Sequence, residues 1–182
     1  MWSKQNLLSD GHFRHMQNIV TNYAFPWFFL GHTATPSKSV EFDQSFSHIL
    51  YSSEHRSDYF DIFYGTMWGA LASIGIEPNE IFRMRLGLIP QTDHNHMHVP
   101  HVDFGIPHQT ALFCLSGNSG ETTFYHELHE DGEESKRAGE LTVLGKFLPI
   151  ENQIILFDGK RYHSSSTPTT DIPRIMLNIN YR

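Results

Sequence analysis

The order of secondary-structure elements is the feature that most restricts the fold of this chain. Two helical segments lie in its first part, and six of seven short strand-like segments follow them. These segments, rich in β-branched and aromatic residues, are Phe46–Tyr51, Ile81–Ile89, Thr110–Leu115, Thr122–His126, Leu141–Leu148, Gln153–Phe157 and Arg174–Tyr181. Because turn sequences rather than helices separate the later segments, the order disfavours βαβ units and predicts a mainly β jelly roll or barrel with helices packed outside.

Both helical segments carry an apolar face of helical period. The first face consists of Phe13, Met16, Ile19 and Val20, after a capping Ser9 or Asp10. The second consists of Phe60, Phe63, Tyr64, Met67, Trp68 and Leu71, between Ser57–Asp58 at its start and Gly75 at its end. We expect both faces to be core, in a single domain over residues 1–182. Residues 1–80 would be its helical N-terminal support and residues 81–182 its motif-bearing β core.

Charge and composition restrict the classes of partner and the location that we expect for this protein. The chain of 182 residues has a net charge of −7, which argues against an extended nucleic-acid surface. Its one cysteine, Cys114, excludes an internal disulfide and is expected to be a buried apolar side chain. No membrane-length apolar run or secretory signal is visible, so we expect no membrane partner and a cytoplasmic location. The acidic stretch Glu127–Glu140 is expected to be a solvated loop. Oligomeric state is left open.

Histidine is unusually abundant, with 13 residues, and its densest cluster lies between Asp93 and His108. His94, His96 and His98 alternate, which suits one face of an extended segment at a pocket rim or a solvated loop. His108 is expected in a solvated loop.

His101 and Asp103 are two positions apart, so an extended chain presents both on one face. His163 follows a buried strand and the Asp158–Gly159 turn, far enough along the chain for a return crossing of a barrel. Two histidines and one carboxylate suit non-haem Fe(II) with open coordination positions, and zinc accepts the same ligands. The sequence therefore predicts a metal site and leaves its metal open.

Arg174 opens an alternating strand, on which Met176 and Asn178 share its face. An inward guanidinium needs an anion, since burial of an unpaired charge is costly. Two partners satisfy this requirement: a dicarboxylate ligand, which accepts two parallel hydrogen bonds, or a structural Asp or Glu.

His101-x-Asp103, His163 and Arg174, in this order, resemble the motif set of the double-stranded β-helix dioxygenases that depend on Fe(II) and 2-oxoglutarate. Ser119–Phe124 is similar to the Gly-Gly-x-Thr-x-Phe turn and strand of their prolyl-4-hydroxylase-like branch, which includes small bacterial and phage members. The resemblance covers about residues 81–182.

This resemblance implies a cupin-like jelly roll in which His101, Asp103 and His163 hold Fe(II) and Arg174 binds the distal carboxylate of 2-oxoglutarate. The reaction it implies uses O2, converts 2-oxoglutarate to succinate and CO2, and hydroxylates a substrate. A peptide or an amino acid is the leading substrate class, and a small metabolite or a nucleobase stays open. The alternatives from the residues are a cupin-like zinc hydrolase and a non-enzymatic metal-binding protein.

Two departures from the family pattern raise further candidates. Many relatives place a serine where this chain has Met176, and a tyrosine on the strand that here reads Ile81–Leu88 without one. A hydroxyl partner for 2-oxoglutarate must then come from elsewhere. The candidates for cosubstrate or substrate contact are Arg83, Arg85, Thr122, Thr123, Tyr125 and Asn178, with the two arginines also suiting a solvent-facing position. The pocket mouth is expected to include Phe46, His48, Tyr51, His55 and the loop from Asp93 to Pro100.

Overall fold

The computed structural model describes residues 1–33, 43–117, 119–130 and 136–182. Its helices are α1 (Asp10–Val20) and α2 (Phe60–Ala72), and a 3-10 turn covers Ala138–Glu140. The strands are β1 (Trp2–Lys4), β2 (Phe28–Leu30), β3 (Ser45–Ser52), β4 (His55–Arg56), β5 (Ile81–Ile89), β6 (Gln109–Cys114), β7 (Thr122–Leu128), β8 (Val143–Phe147), β9 (Ile154–Asp158), β10 (Arg161–Ser165) and β11 (Arg174–Tyr181).

The strands form two antiparallel sheets that face each other. The larger has the order β1-β9-β6-β11-β5-β3-β2, with β4 paired to β3, and the smaller has the order β10-β7-β8. Isolated bridges from Met97 to Ser166 and from His101 to His163 add the segment before β6 to the free side of β10. This arrangement confirms the predicted mainly β jelly roll with two helices outside it.

Apolar side chains fill two regions, one on each face of the large sheet. The larger region packs α1 and α2 against the outer face, where Phe13 of α1 meets Phe113 of β6 edge to face at 6.1 Å. The smaller lies between the two sheets and consists of Leu112, Cys114, Phe124, Ile155, Phe157 and Met176. Cys114 is fully buried as expected, and burial raises the pKa of its thiol to about 12.

The sequence located seven strands to within two residues at either end, set no bounds for β10, the strand of His163, and missed β1, β2 and β4. These three strands have only two or three residues, too few to show an alternating pattern, so residues 1–80 contribute strands as well as helices to the molecule. Asn118 in the predicted turn and residues 131–135 in the predicted acidic loop lie outside the described residues. No helix in the described part of the chain has the length and apolarity to cross a membrane.

Half of the predicted core face of helix α2 is fully buried. The buried residues are Phe63, Met67 and Leu71, whereas the other three residues of the face, which are all aromatic, are half-buried. Those three stack along the helix surface, with ring centroids 5.0 Å apart for Phe60–Tyr64 and 5.2 Å apart for Tyr64–Trp68. Gly75 has φ +79°, the left-handed conformation expected of a glycine that ends a helix.

His108 is buried, and its predicted position in a solvated loop is wrong. The imidazole of His108 lies over the tight turn between β9 and β10. The backbone N–H of Gly159 donates to the His108 carbonyl at 2.9 Å, which keeps the two residues close together. A Cβ atom at position 159 would lie 2.1 Å from His108 Nε2. Glycine at position 159 therefore leaves room for the His108 ring. The sequence around the turn does not predict this contact.

We predict that Gly159→Ala lowers the free energy of unfolding by about 1–3 kcal/mol, because the added methyl group displaces the buried His108 ring. Urea unfolding followed by circular dichroism measures the change. Gly145→Ala is the matched control, since a Cβ there meets nothing within 4 Å. Equal stability of the two variants would contradict the packing argument.

Candidate metal centre

His101 and His163 are placed side by side by backbone pairing. The N–H of each residue donates to the carbonyl of the other, at 2.9 and 3.0 Å, and the ring centroids lie 4.6 Å apart. Asp103 follows two residues later, on the same face. One ligand atom from each of these three side chains lies within 4.8 Å of the others, so the predicted cluster exists in the fold.

Both imidazoles offer the same nitrogen to a metal. His101 Nδ1 lies 3.2 Å from the Val99 carbonyl, and His163 Nδ1 lies 3.0 Å from the Arg161 carbonyl. A carbonyl oxygen only accepts hydrogen bonds, so each Nδ1 carries the proton and donates it. This tautomer leaves the lone pair on each Nε2 available as a metal ligand.

The Asp103 carboxylate is held by three donors. Its Oδ1 accepts from Arg83 Nη2 at 2.6 Å, and its Oδ2 accepts from Asn178 Nδ2 and Asn180 Nδ2, both at 2.9 Å. Arg83 Nε also donates to Asn180 Oδ1 at 3.0 Å, and the guanidinium lies 4.8 Å from the Phe104 ring centroid. Three of the four lone pairs of the carboxylate are thereby used, which leaves one on Oδ1 for a metal.

Electrostatics keep the cluster in the protonation state that binds a cation. Burial, reinforced by the charge of His163, lowers the pKa of His101 to about 3, and burial also lowers the pKa of His163. Burial acts to raise the pKa of Asp103, but Arg83 and then the two histidines hold it well below its usual value. At neutral pH the site therefore presents two neutral imidazoles and a carboxylate.

A cavity lies between the sheets beside this cluster. Its polar lining consists of Thr33, Ser45, Ser47, Arg85, His101, Thr122, His163, Ser165, Arg174 and Asn178. Its apolar lining includes Leu88, Leu112 and Met176. The cavity thus joins the candidate metal ligands to two arginines.

Arg174 faces inward, as its alternating strand predicts. Its side chain is buried and donates to the Gly120 carbonyl and, at 2.6 Å, to Thr122 Oγ1. Burial lowers the pKa of this guanidinium to about 10, so it stays charged at neutral pH. Within the described part of the chain, no Asp or Glu side chain pairs with Arg174. A structural salt bridge to one of those residues therefore does not explain why this guanidinium is buried. Thr122 places a hydroxyl where Met176 offers none.

Other sequence candidates fall in three places. Arg85 and Asn178 line the cavity, whereas Arg83 contacts the carboxylate from outside the lining. Thr123 and Tyr125 are buried away from the cavity, and the Tyr125 hydroxyl lies 3.3 Å from Ser164 Oγ. Neither residue is in the cavity lining, because in β7 they lie one and three residues from Thr122 and so point to the opposite face.

The histidine trio and most of the expected pocket mouth also lie apart from the cavity. His98 is buried and bonds to Ser165, His96 is half-buried, and His94 is exposed. Phe46 does line the cavity, but His48 bonds instead to the Pro26 carbonyl and Ser57 Oγ. The remaining two residues of the expected mouth, Tyr51 and His55, are absent from the lining.

Sequence reasoning missed Asn180. This residue is fully buried and donates to Asp103 Oδ2 as well as to Thr110 Oγ1 at 3.0 Å. A usable signal was present, because Asn180 continues the inward alternation of Arg174, Met176 and Asn178. A polar residue at such a position needs a buried partner.

We predict that the metal-free protein loses stability as the pH falls from about 6.5 to about 3. His101 has a folded pKa of about 3 against an ordinary 6.5, so the unfolded chain binds a proton that the folded chain excludes in this range. Each such histidine makes the free energy of unfolding fall by about 1.4 kcal/mol per pH unit at most. Urea unfolding at several pH values measures the slope.

His101→Gln should flatten this pH dependence, and the exposed His15→Gln serves as its control. A slope in His101→Gln as steep as in the original protein would contradict the assignment.

We predict that Arg83→Gln weakens the binding of Mn(II) by about 10- to 100-fold, because the carboxylate loses the donor that orients it. Arg83→Lys should recover part of the affinity. Competition with a chelating dye measures the dissociation constant. The control is Arg182→Gln, whose side chain is 63% exposed and pairs with Glu80. Unchanged affinity in Arg83→Gln would show that the other two donors suffice.

Comparisons with known proteins bear on this geometry. No protein-family model and no curated protein sequence matches the chain. Solved structures match nearly all of it. The Pseudomonas putida prolyl-4-hydroxylase is 12% identical, with coverage of 100% of this chain and 91% of that chain and a TM-score of 0.62.

Two further structures match with similar scores. The epimerase SnoN from nogalamycin biosynthesis, solved with Fe3+, alpha ketoglutarate and nogalamycin RO, is 15% identical over 98% of this chain and 77% of that chain, with a TM-score of 0.67. A prolyl hydroxylase from Trichoplax adhaerens, solved with a peptide fragment of hypoxia inducible factor, is 13% identical over 99% of this chain and 82% of that chain, with a TM-score of 0.64. The chain therefore has the jelly-roll fold that these iron- and 2-oxoglutarate-dependent enzymes share.

Proposed function

We propose that this protein is a non-haem Fe(II) oxygenase that couples the conversion of 2-oxoglutarate to succinate and CO2 with the hydroxylation of a substrate. One observation carries the proposal. The His101–Asp103–His163 cluster and the buried Arg174 guanidinium line or adjoin one cavity, so a metal ligand set and a carboxylate-binding group serve the same space.

The donor set fits Fe(II). Two Nε2 lone pairs and one carboxylate oxygen would supply three protein ligands, the donor set that suits non-haem Fe(II). Asp103 is held in place by Arg83, Asn178 and Asn180, so metal binding requires little reordering of its side chain. Zinc accepts the same donors, and the fate of 2-oxoglutarate separates the two metals.

Arg174 fits a dicarboxylate cosubstrate. Its guanidinium has five N–H donors, of which the Gly120 carbonyl and Thr122 Oγ1 occupy two. The remaining donors suit a planar carboxylate in a bidentate arrangement. Thr122 also lines the cavity, which supports its role as the hydroxyl partner of that carboxylate.

Fe(II), 2-oxoglutarate and O2 supply the oxidative chemistry when bound, and the protein supplies position and shelter. Apolar side chains of Leu88, Leu112 and Met176 form part of the cavity wall. Asp103 would fill, with its carboxylate, the ligand position that a halide needs, which supports hydroxylation over halogenation. Structural neighbours carry names of enzymes that take peptides and small molecules, and we propose one of these classes as the substrate.

We predict succinate formation from 2-oxoglutarate by the Fe(II)-loaded protein in air, lost at least a hundredfold in His101→Ala and Asp103→Ala because each variant removes a metal ligand. Arg174→Gln should raise the KM for 2-oxoglutarate more than it lowers kcat, since it removes a cosubstrate contact. Succinate is measured by mass spectrometry, and an anaerobic visible band with Fe(II) and 2-oxoglutarate is the second readout. Arg14→Gln, exposed and paired with Glu151, is the control.

The alternatives give different results. Tight zinc binding with ester hydrolysis and no succinate would establish a hydrolase and contradict the proposal. Several exchangeable metal ions per chain, with no turnover, would indicate a metal-binding protein. Circular dichroism of each variant establishes that lost activity does not come from lost structure.

A further inference from the structure

A second arginine in the cavity has a buried nitrogen atom that forms no hydrogen bond within the described part of the chain. Arg85 of β5 lines the cavity, and its Nε atom is buried without a hydrogen-bond partner. Among the described residues no carboxylate forms an ion pair with it, and no carboxylate lines the cavity. The other two arginines near the site have partners: Arg83 pairs with Asp103, and Arg174 bonds to Gly120 and Thr122.

Strand register places Arg85 at the metal end of the cavity. Arg85 lies opposite Asn178 in the β5–β11 pair, and Asn178 donates to Asp103 Oδ2. Its charge also acts on His101 and His163, both of which it makes harder to protonate. Arg174 pairs with Ile89, four residues farther along the sheet or about 13 Å away. The two arginines therefore enter the cavity from backbone positions that are well separated along the strands.

Charge balance shows what Arg85 requires. Arg83 and Asp103 cancel as an ion pair, and a dianionic cosubstrate cancels a divalent metal. Arg85 and Arg174 then remain, so the loaded cavity carries about two uncompensated positive charges. Burial lowers the pKa of Arg85, and the charge of Arg83 adds to this effect more than the charge of Asp103 opposes it. A bound carboxylate removes this imbalance.

We propose that Arg85 binds a carboxylate group at the metal end of the cavity. Two molecules can supply that group: the acidic substrate of the enzyme, or 2-oxoglutarate through its end nearer the metal. Charge balance favours the substrate, because 2-oxoglutarate is already counted and leaves the cavity positive. The proposal rests on the proposed function for the identity of the cosubstrate, and it makes the substrate an anion such as a free carboxylic acid or an acidic peptide.

The first measurement is the affinity of Mn(II)-loaded protein for 2-oxoglutarate by titration calorimetry. Arg85→Gln and Arg85→Lys are compared with the original protein and with Arg56→Gln, an exposed arginine paired with Asp61. If the cosubstrate supplies the carboxylate, Arg85→Gln weakens 2-oxoglutarate binding about tenfold or more, as expected for a lost hydrogen bond to a charged group. If the substrate supplies it, the affinity stays within about twofold.

The second measurement titrates N-acetylglycine and benzoate, each beside its neutral amide, into the same proteins with and without 2-oxoglutarate. A substrate source predicts that the original protein binds the acids at least about tenfold more tightly than the amides. Arg85→Gln should abolish this preference, and Arg85→Lys should retain part of it because the charge remains. Thermal unfolding of each variant establishes that it is folded.

The outcomes separate this proposal from the proposed function. Failure of the original protein to bind Mn(II) or 2-oxoglutarate would contradict the proposed function, and the acid–amide comparison without 2-oxoglutarate would still test Arg85. An Arg85-dependent preference for acids, or an Arg85-dependent affinity for 2-oxoglutarate, supports the carboxylate site. Unchanged 2-oxoglutarate affinity in Arg85→Gln together with equal binding of acids and amides by the original protein would overturn it.

Discussion

The paired backbone hydrogen bonds between His101 and His163 are the constraint on which the candidate site depends. They join a segment before β6 to the free side of β10, although 61 residues separate the two histidines in the chain. Directly opposed residues in an antiparallel pair point to the same face, so one pairing fixes both imidazoles without help from side-chain contacts. Asp103 then follows by strand alternation, and the ligand set is largely formed by the backbone.

The large sheet holds the third candidate ligand, Asp103, in place. Asp103 reaches across to donors that stand on β5 and β11, namely Arg83, Asn178 and Asn180. A slip of one residue in the register of either strand would turn these donors to the opposite face and leave the carboxylate without them. The geometry of the metal ligands is thus tied to the register of the sheet, and the buried apolar residues that fix this register also support the site.

The sequence predicted the shared face of His101 and Asp103 and the inward arginine because both depend on alternation, which is visible in one strand at a time, whereas His163 was assigned from its place after the Asp158–Gly159 turn. His101 and Asp103 two residues apart, and Arg174 before Met176 and Asn178, are local patterns. Contacts between strands were not predicted. The pairing of Arg83 with Asp103 depends on how β5 lies relative to the loop before β6, and the burial of His108 over Gly159 depends on the return of the chain at β9. Neither pattern leaves a periodic signal.

The two faces of strand β11 have different roles, since one packs in the apolar core and the other faces the candidate site. Ile175, Leu177 and Ile179 belong to the apolar core beneath the helices, whereas Arg174, Asn178 and Asn180 point to the site on the other face. A row of buried polar side chains lowers stability unless each finds a partner. Asn180 has such partners within the protein, and Arg174 has two of them with donors remaining. On this strand the hydrogen-bonding capacity left over on Arg174 and Asn178 faces the cavity, and the apolar face of the same strand stabilises the sheet that holds it.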